Sequence, residues 1–104
     1  MLLCHHVYFT LKDRTPENAD QLVASCNKYL TIQPGIVSYF CGKLDATLTR
    51  EVNDRDWDVA LHLVFTDRAA HDAYQEDATH NQFIAEQKPY WAKVRVFDAL
   101  VEKR

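Results

Sequence analysis

The strictest constraint on the fold of this 104-residue chain is a stretch of alternating side chains near its middle. From Trp57 to Thr66, every second residue is large and apolar: Trp57, Val59, Leu61, Leu63 and Phe65. Because successive side chains of a β-strand point to opposite faces, the pattern predicts a strand with one wholly apolar face. The other face of this strand is mixed, so the chain requires a sheet that is covered on one side.

Three further runs, at residues 2–11, 36–41 and 93–101, are rich in β-branched and aromatic residues and are predicted to be strands. Thr15 as N-cap and Pro16 as first helical residue begin a helix between the first two strands. A second helical region begins at Thr66-Asp67 and breaks at Asp77-Ala78-Thr79. It resumes with Thr79 as the cap, and Pro89 must kink or end it.

The order strand, helix, strand, strand, helix, strand is typical of the α+β ferredoxin-like fold, built from split βαβ units. We expect one domain over residues 1–104, with a four-stranded antiparallel sheet and helices on one face. The face under the helices, called here the helix-side face, is predicted to hold His5, Val7, Phe9, Val37, Tyr39, Val59, Leu61, Leu63, Val94 and Val96. The opposite face, called the open face, is predicted to hold His6, Tyr8, Thr10, Ser38, Phe40, Ala60, His62, Val64, Arg95 and Phe97.

The open face is too aromatic to be left in water, yet it carries several polar groups. Protein–protein interfaces are enriched in tyrosine, phenylalanine and arginine. We therefore expect a homodimer in which two sheets meet to form a dimeric α/β barrel. The predicted interface residues are His6, Tyr8, Phe40, His62, Arg95 and Phe97.

Charge and composition narrow the classes of partner. The net charge is −3 and no run of lysine or arginine occurs, so we expect neither nucleic acid nor a membrane surface as partner. No apolar run has the length of a membrane span. The first residues lack the basic and apolar regions of a signal peptide, and we expect a cytoplasmic protein.

Tyr74 and His80 are the candidate acid–base pair. A histidine can remove a proton next to a carbonyl group at neutral pH, and a tyrosine hydroxyl can stabilise the enolate that forms. The alternative is a structural role, in which the two side chains hold the helical break together.

Metal and cofactor sites are not predicted. The five histidines show neither HxH nor HxxxH spacing, the three cysteines lack CxxC spacing, and no cofactor motif occurs. His6 and His62 could meet across the sheet or across the dimer axis, and they are expected to be interface residues with satisfied hydrogen bonds rather than metal ligands. His71 is expected to lie in solvent on the flank of its helix.

Several segments resemble those of a known family: His5-His6-Val7-Tyr8-Phe9-Thr10-Leu11-Lys12, Pro34-Gly35-Ile36, Asp58-Val59-Ala60-Leu61, Asp72-Ala73-Tyr74-Gln75, His80-Asn81-Gln82-Phe83, Lys88-Pro89 and Val94-Arg95-Val96-Phe97-Asp98. In this order, over nearly the whole chain, they are similar to the stress-responsive A/B-barrel (Dabb) family. The resemblance implies the dimeric barrel fold.

A plant polyketide cyclase of this family uses a tyrosine and a histidine in a closed apolar pocket for an aldol condensation. The resemblance places Tyr74 and His80 at those positions, with His5 as a further candidate near the pocket. It implies that the pocket is lined by Leu61, Phe83, Trp91, Val94 and Val96, and it puts Cys26 where the cyclase has a pocket tyrosine. Tyr39 and Val23 are also expected to line the pocket. Ile84 stands at a position where the cyclase has glycine.

Three functions stay open from the sequence. The first is a homodimeric family member with a small pocket for an apolar or aromatic ligand. The second is a cyclase or lyase that carries out aldol-type chemistry on a ketide-like or aromatic substrate. The third is an oxygenase-like enzyme of the related dimeric barrels, although no residue set for haem is present.

Overall fold

The computed structural model describes residues 1–104 as four strands, three α-helices and one 3₁₀ turn. In chain order these are β1 (Leu2–Leu11), α1 (Pro16–Tyr29), β2 (Ile36–Lys43), β3 (Val59–Phe65), α2 (Arg68–Glu76), α3 (Ala78–Gln87), the 3₁₀ turn (Lys88–Tyr90) and β4 (Trp91–Val101). This confirms the predicted α+β ferredoxin-like order, with the second helical region divided into two helices. None of the helices is long and apolar enough to cross a lipid bilayer.

The strands form one antiparallel sheet in the order β2-β3-β1-β4. The two central strands are therefore β1 and β3, and β4 is an edge strand. His5 pairs with Leu63 across β1 and β3, whereas the next residue, His6, pairs with His62. Because the pleat alternates, the first pair lies on the helix-side face and the second on the open face.

The hydrophobic core lies between the helix-side face and the helices. Val59, Leu63 and Phe65 of β3 are fully buried, as is Leu22 of α1. The covering is incomplete at the edge strand, since Val96 of β4 remains 50% exposed. One end of the helix-side face is thus left accessible beside β4.

One predicted position on the helix-side face is wrong, and the starts of two strands differ from the prediction. Val37 lies at an irregularity between Ile36 and Ser38, so it is exposed and Ile36 takes the predicted inward position opposite Phe65. Trp57 precedes β3, which begins at Val59, two residues later than predicted. β4 begins at Trp91, two residues earlier than predicted.

The helix starts follow the predicted chemistry with one exception. Thr15 accepts a hydrogen bond from the backbone N–H of Asn18 at the start of α1. Asp67 does the same for Ala70 at the start of α2. At α3 the cap is Asp77 rather than the predicted Thr79, whose backbone N–H donates to the Asp77 carboxylate over 2.7 Å.

Gly35 fixes the approach of α2 to the start of β2. Its φ of +88° lies in the left-handed region, which side chains other than glycine rarely adopt. A Cβ at this position would lie 2.5 Å from the Cβ of Ala70. The turn before β2 therefore needs glycine both for its backbone and for the contact with α2.

Candidate active site

A cavity of about 310 Å³ lies between the helix-side face and helices α2 and α3. Its walls are mostly apolar and include Val7, Phe9, Leu61, Phe83, Trp91 and Val96. Polar side chains from four elements also line it: His5, His71, Tyr74, Gln75, His80 and Asp98. The cavity therefore combines an apolar binding space with titratable groups. Ile84 also lines the cavity and leaves it open.

The break between α2 and α3 brings Tyr74 and His80 together. Asp77 ends α2 and caps α3, and its extended backbone lets the chain change direction between the two helices. The rings of Tyr74 and His80 meet edge to face, with 4.6 Å between their centroids. The Tyr74 residue is only 2% exposed. Both side chains therefore belong to one pocket.

Burial shifts the pKa values of this pair in opposite directions. It raises the pKa of the Tyr74 phenol, because the charged phenolate is disfavoured away from water. It lowers the pKa of the His80 imidazole, an effect that the nearby His5 increases and that Asp77 opposes. At neutral pH the pair consists of a protonated phenol, which can donate a hydrogen bond, and a neutral imidazole, which can accept a proton.

His5 reaches the same cavity from β1. Its Nδ1 donates a hydrogen bond of 2.5 Å to the Asp98 carboxylate on the neighbouring strand β4. Its ring lies edge to face with that of Tyr74, at a centroid distance of 6.1 Å. Burial lowers the pKa of His5 more than the Asp98 carboxylate raises it. The hydrogen bond with Asp98 therefore fixes the position of the His5 ring relative to β4.

The prediction that His71 lies in solvent is wrong. Its side chain is 13% exposed, and its ring centroid lies 5.1 Å from that of His5. The residue lines the cavity on the α2 side. Its position follows from how α2 sits on the sheet, which the local sequence pattern does not specify. Asp98 was likewise missed, because its strand pattern marked only its apolar neighbours.

Three of the cavity-lining residues have a buried polar atom without a hydrogen-bond partner. These atoms are Nδ1 of His80, Nε2 of His71 and Nε1 of Trp91. Buried polar groups in proteins are nearly always paired, so unpaired ones call for an explanation. Their grouping around one cavity indicates a site that offers hydrogen bonds to a ligand.

Of the predicted lining residues, Leu61, Phe83, Trp91, Val94 and Val96 line the cavity. Tyr39, Val23 and Cys26 do not. The Tyr39 hydroxyl donates to the side-chain oxygen of Asn27 over 2.8 Å, and Cys26 is fully buried in the core. Tyr39 lies on β2, at the opposite edge of the sheet from β4. The cavity is beside β4, which accounts for Tyr39, whereas Val23 of α1 packs against the core.

The open face holds the six residues predicted for a subunit interface. Phe40 and Phe97 are 66% and 53% exposed. The Nδ1 atoms of His6 and His62 lie 2.7 Å apart, so one donates a hydrogen bond to the other. Tyr8 packs edge to face against Trp57, His62 and Phe97. This face is an ordered aromatic surface.

The loop before β3 borders the open face. Asp54 accepts a hydrogen bond of 2.7 Å from Arg95, and Asp56 accepts one of 2.9 Å from Lys93. Trp57 Nε1 donates to the carbonyl oxygen of Asp54 and so turns the indole toward Tyr8. The loop thereby forms one wall of a groove of about 480 Å³ on this face.

Comparison with known proteins identifies the fold. The model of the Stress responsive A/B Barrel Domain matches residues 3–101. No curated protein matches the sequence. A Dabb family protein of ferredoxin-like fold from Mesorhizobium loti is 19% identical and superposes with a TM-score of 0.80, with 98% of each chain covered.

Two further solved structures are similar at the same level of identity. A dimeric ferredoxin-like protein of unknown function from Thermobifida fusca is 20% identical, with a TM-score of 0.78 and coverage of 97% of this chain and 92% of that chain. A hydroxynitrile lyase from Passiflora edulis is 20% identical, with a TM-score of 0.77 and coverage of 99% and 95%. At this identity the likeness concerns the fold.

Proposed function

Because the chain belongs to the stress-responsive A/B barrel domain family, we propose that it acts as a homodimer with one acid–base active site in each subunit. The substrate is a small, mainly apolar carbonyl compound. The reaction is of the lyase or cyclase type, in which a carbon–carbon bond beside the carbonyl group is made or broken.

The chemical step uses His80 as base and Tyr74 as hydrogen-bond donor. The neutral imidazole of His80 takes the proton from the carbon next to the carbonyl group, and the C–H electron pair forms the enolate. The Tyr74 hydroxyl donates a hydrogen bond to the oxygen, where the negative charge develops. In bond formation the enolate carbon attacks a second carbonyl carbon, and the oxygen of that carbonyl receives the proton from His80; bond breaking runs the same steps in reverse.

The observation that carries this proposal is that Tyr74 and His80 line the same mainly apolar cavity with their rings in contact. A structural pair would satisfy its own polar atoms, whereas Nδ1 of His80 has no partner. An apolar surrounding also reduces competition from water for both groups. The fold of the Passiflora edulis hydroxynitrile lyase supports a lyase on this scaffold.

Exchange of the methyl protons of acetophenone in D₂O, followed by proton NMR, tests the acid–base step without knowledge of the natural substrate. The wild type should accelerate the exchange, and His80→Ala should abolish the acceleration. Tyr74→Phe should reduce it by roughly 10²–10³, the effect of losing one oxyanion donor. Tyr39→Phe is the matched control, because it removes a hydroxyl group that lies away from the cavity.

Two results would contradict the acid–base step. One is acetophenone binding, seen as chemical-shift changes, without any exchange above the background rate; the protein would then be a binding module. The other is equal loss of exchange in the Tyr74 and Tyr39 variants, which would mean that the hydroxyl acts through folding alone.

The dimer part of the proposal depends on the open face. Phe40 and Phe97 would leave a large aromatic surface in water in a single chain. Pairing two copies through this face would bury it and complete a barrel. Solved neighbours from Thermobifida fusca and Bacteroides fragilis are described as dimeric. Sedimentation equilibrium at micromolar concentration tests the assembly, and a monomer at these concentrations would exclude it.

A further inference from the structure

We propose that His5, His71 and Asp98 form a binding site for a divalent transition-metal ion at the polar end of the cavity. One donor atom from each residue lies within 4.8 Å of the donor atoms of the other two. The three residues come from β1, α2 and β4. Two imidazoles and one carboxylate are a ligand set that Zn²⁺ and Fe²⁺ accept in proteins.

The strongest indication of a metal site comes from His71, whose Nε2 is buried and has no hydrogen-bond partner. This atom lies 3.9 Å from Oδ1 of Asp98, which is too long for a hydrogen bond. Its imidazole ring also lies 5.1 Å from that of His5, measured between the ring centroids. A metal ion bound between the three side chains would give Nε2 a partner.

The other nitrogen of His71 is already held. Its Nδ1 lies 3.0 Å from the carboxylate of Asp72, and that carboxylate also accepts a hydrogen bond of 2.9 Å from Arg68. Histidines that bind metals usually donate their second ring nitrogen to a carboxylate in this way, which fixes the tautomer and turns the lone pair toward the ion. Asp72 is therefore the positioning residue of the site.

The distances allow an ion after small side-chain movements. Two ligand atoms on one tetrahedral zinc ion are about 3.3 Å apart, given bonds of about 2.0–2.1 Å. The Nδ1 of His5 and the Asp98 carboxylate are closer than this and share a proton, which the ion would replace. The Asp98 side chain is 41% exposed on the edge strand, so it has room to move once the ion replaces its hydrogen bond with His5.

Three protein ligands leave at least one coordination position open, and the site borders the cavity. A ligand oxygen bound there would be fixed by the ion independently of the Tyr74 hydroxyl. The chemistry of the site therefore favours ligands that carry an oxygen donor next to an apolar body. Metal binding at this site does not depend on the proton transfer proposed for Tyr74 and His80.

Equilibrium dialysis of tag-free protein against Zn²⁺, with metal analysis by mass spectrometry, tests the site. The wild type should bind one Zn²⁺ per chain. His71→Ala should reduce the affinity at least as strongly as Asp72→Asn, for which the loss of an orienting carboxylate predicts roughly 10–100-fold. His62→Ala is the matched control, because the His6–His62 pair on the open face is the other place where two imidazoles meet.

The proposal would be overturned by wild-type protein that binds no Zn²⁺, or by affinity that survives in His71→Ala. Loss of binding in His62→Ala alone would move the ion to the open face and also overturn it. Circular dichroism shows whether His71→Ala folds. If it does not fold, the test uses the exposed Asp72→Asn variant, and unchanged affinity of this variant for Zn²⁺ would contradict the site. Acetophenone exchange that continues without zinc would leave the acid–base proposal standing.

Discussion

The two faces of the sheet are built from the same four strands but are satisfied in different ways. On the helix-side face, Val59, Leu63 and Phe65 are fully buried by the chain's own helices. On the open face, Phe40 and Phe97 remain more than half exposed. Both faces are rich in large side chains, so composition alone does not distinguish a core from an interface. The distinction lies in whether the chain supplies its own cover.

The histidines show the same contrast. His5 and His6 are adjacent on β1, yet His5 bonds to Asp98 in the cavity and His6 bonds to His62 on the open face. On the helix-side face the polar groups lie at the rim of the core, where the helices leave β4 accessible. On the open face the polar groups are paired with each other in the middle of the surface.

The largest expected effect is on assembly. Phe40→Asp should dissociate the proposed dimer, because an unpaired charge buried at its interface would cost on the order of 3–5 kcal/mol. Sedimentation equilibrium should show a monomer, while circular dichroism shows a folded chain because Phe40 lies outside the core. If the variant is still dimeric, the interface lies elsewhere, and the open face is not covered by a second copy of the chain.

The next effect is on stability. Leu63→Ala should lower the free energy of unfolding by about 2–5 kcal/mol, because a fully buried leucine leaves a cavity in the core. Denaturant melts at fixed protein concentration measure the change, and Val64→Ala on the open face is the neighbouring control. A loss below about half of one kcal/mol at Leu63 would mean that the helix-side face is not the main core.

The smallest expected effect is on pH dependence. The pKa values of His5 and His80 are lowered, chiefly by burial, so these side chains resist protonation in the folded state. The unfolded chain then binds more protons below the ordinary histidine pKa of 6.5. Stability should be full above pH 6.5 and should fall as the pH decreases through the folded pKa values. Denaturant midpoints at pH 7.5 and 5.5 measure this fall.

His80→Gln sharpens the pH test, because it removes one titrating group from the cavity. Its midpoint should change less between the two pH values than that of the wild type. An identical change in both proteins would mean that groups outside the cavity control the acid response.

Much of the fold was predictable because strand patterns have a period of two residues. The alternation in β1 and β3 specified which side chains share a face, and the break at Asp77 divided the second helical region. The exposure of Val37 and the start of β3 after Trp57 have local causes, a strand irregularity and a loop hydrogen bond, that alternation does not encode.

The site was less predictable, because its residues come from elements far apart in the sequence. The family resemblance placed Tyr74 and His80, but the position of the cavity along the sheet depends on strand order. That order puts the cavity beside β4, so Asp98 of β4 lines it and Tyr39 of β2 does not. His71 was misjudged because its burial depends on the packing of α2 against β1.

Asp77, which ends α2 and caps α3, marks a junction where the cavity can change during evolution while the sheet stays the same. Tyr74 lies before it on α2, and His80 and Phe83 lie after it on α3. An insertion or deletion at this junction would resize the cavity and leave the pairing of the strands and the open face untouched. The scaffold can therefore acquire a new ligand preference without having to evolve a new fold or a new partner surface.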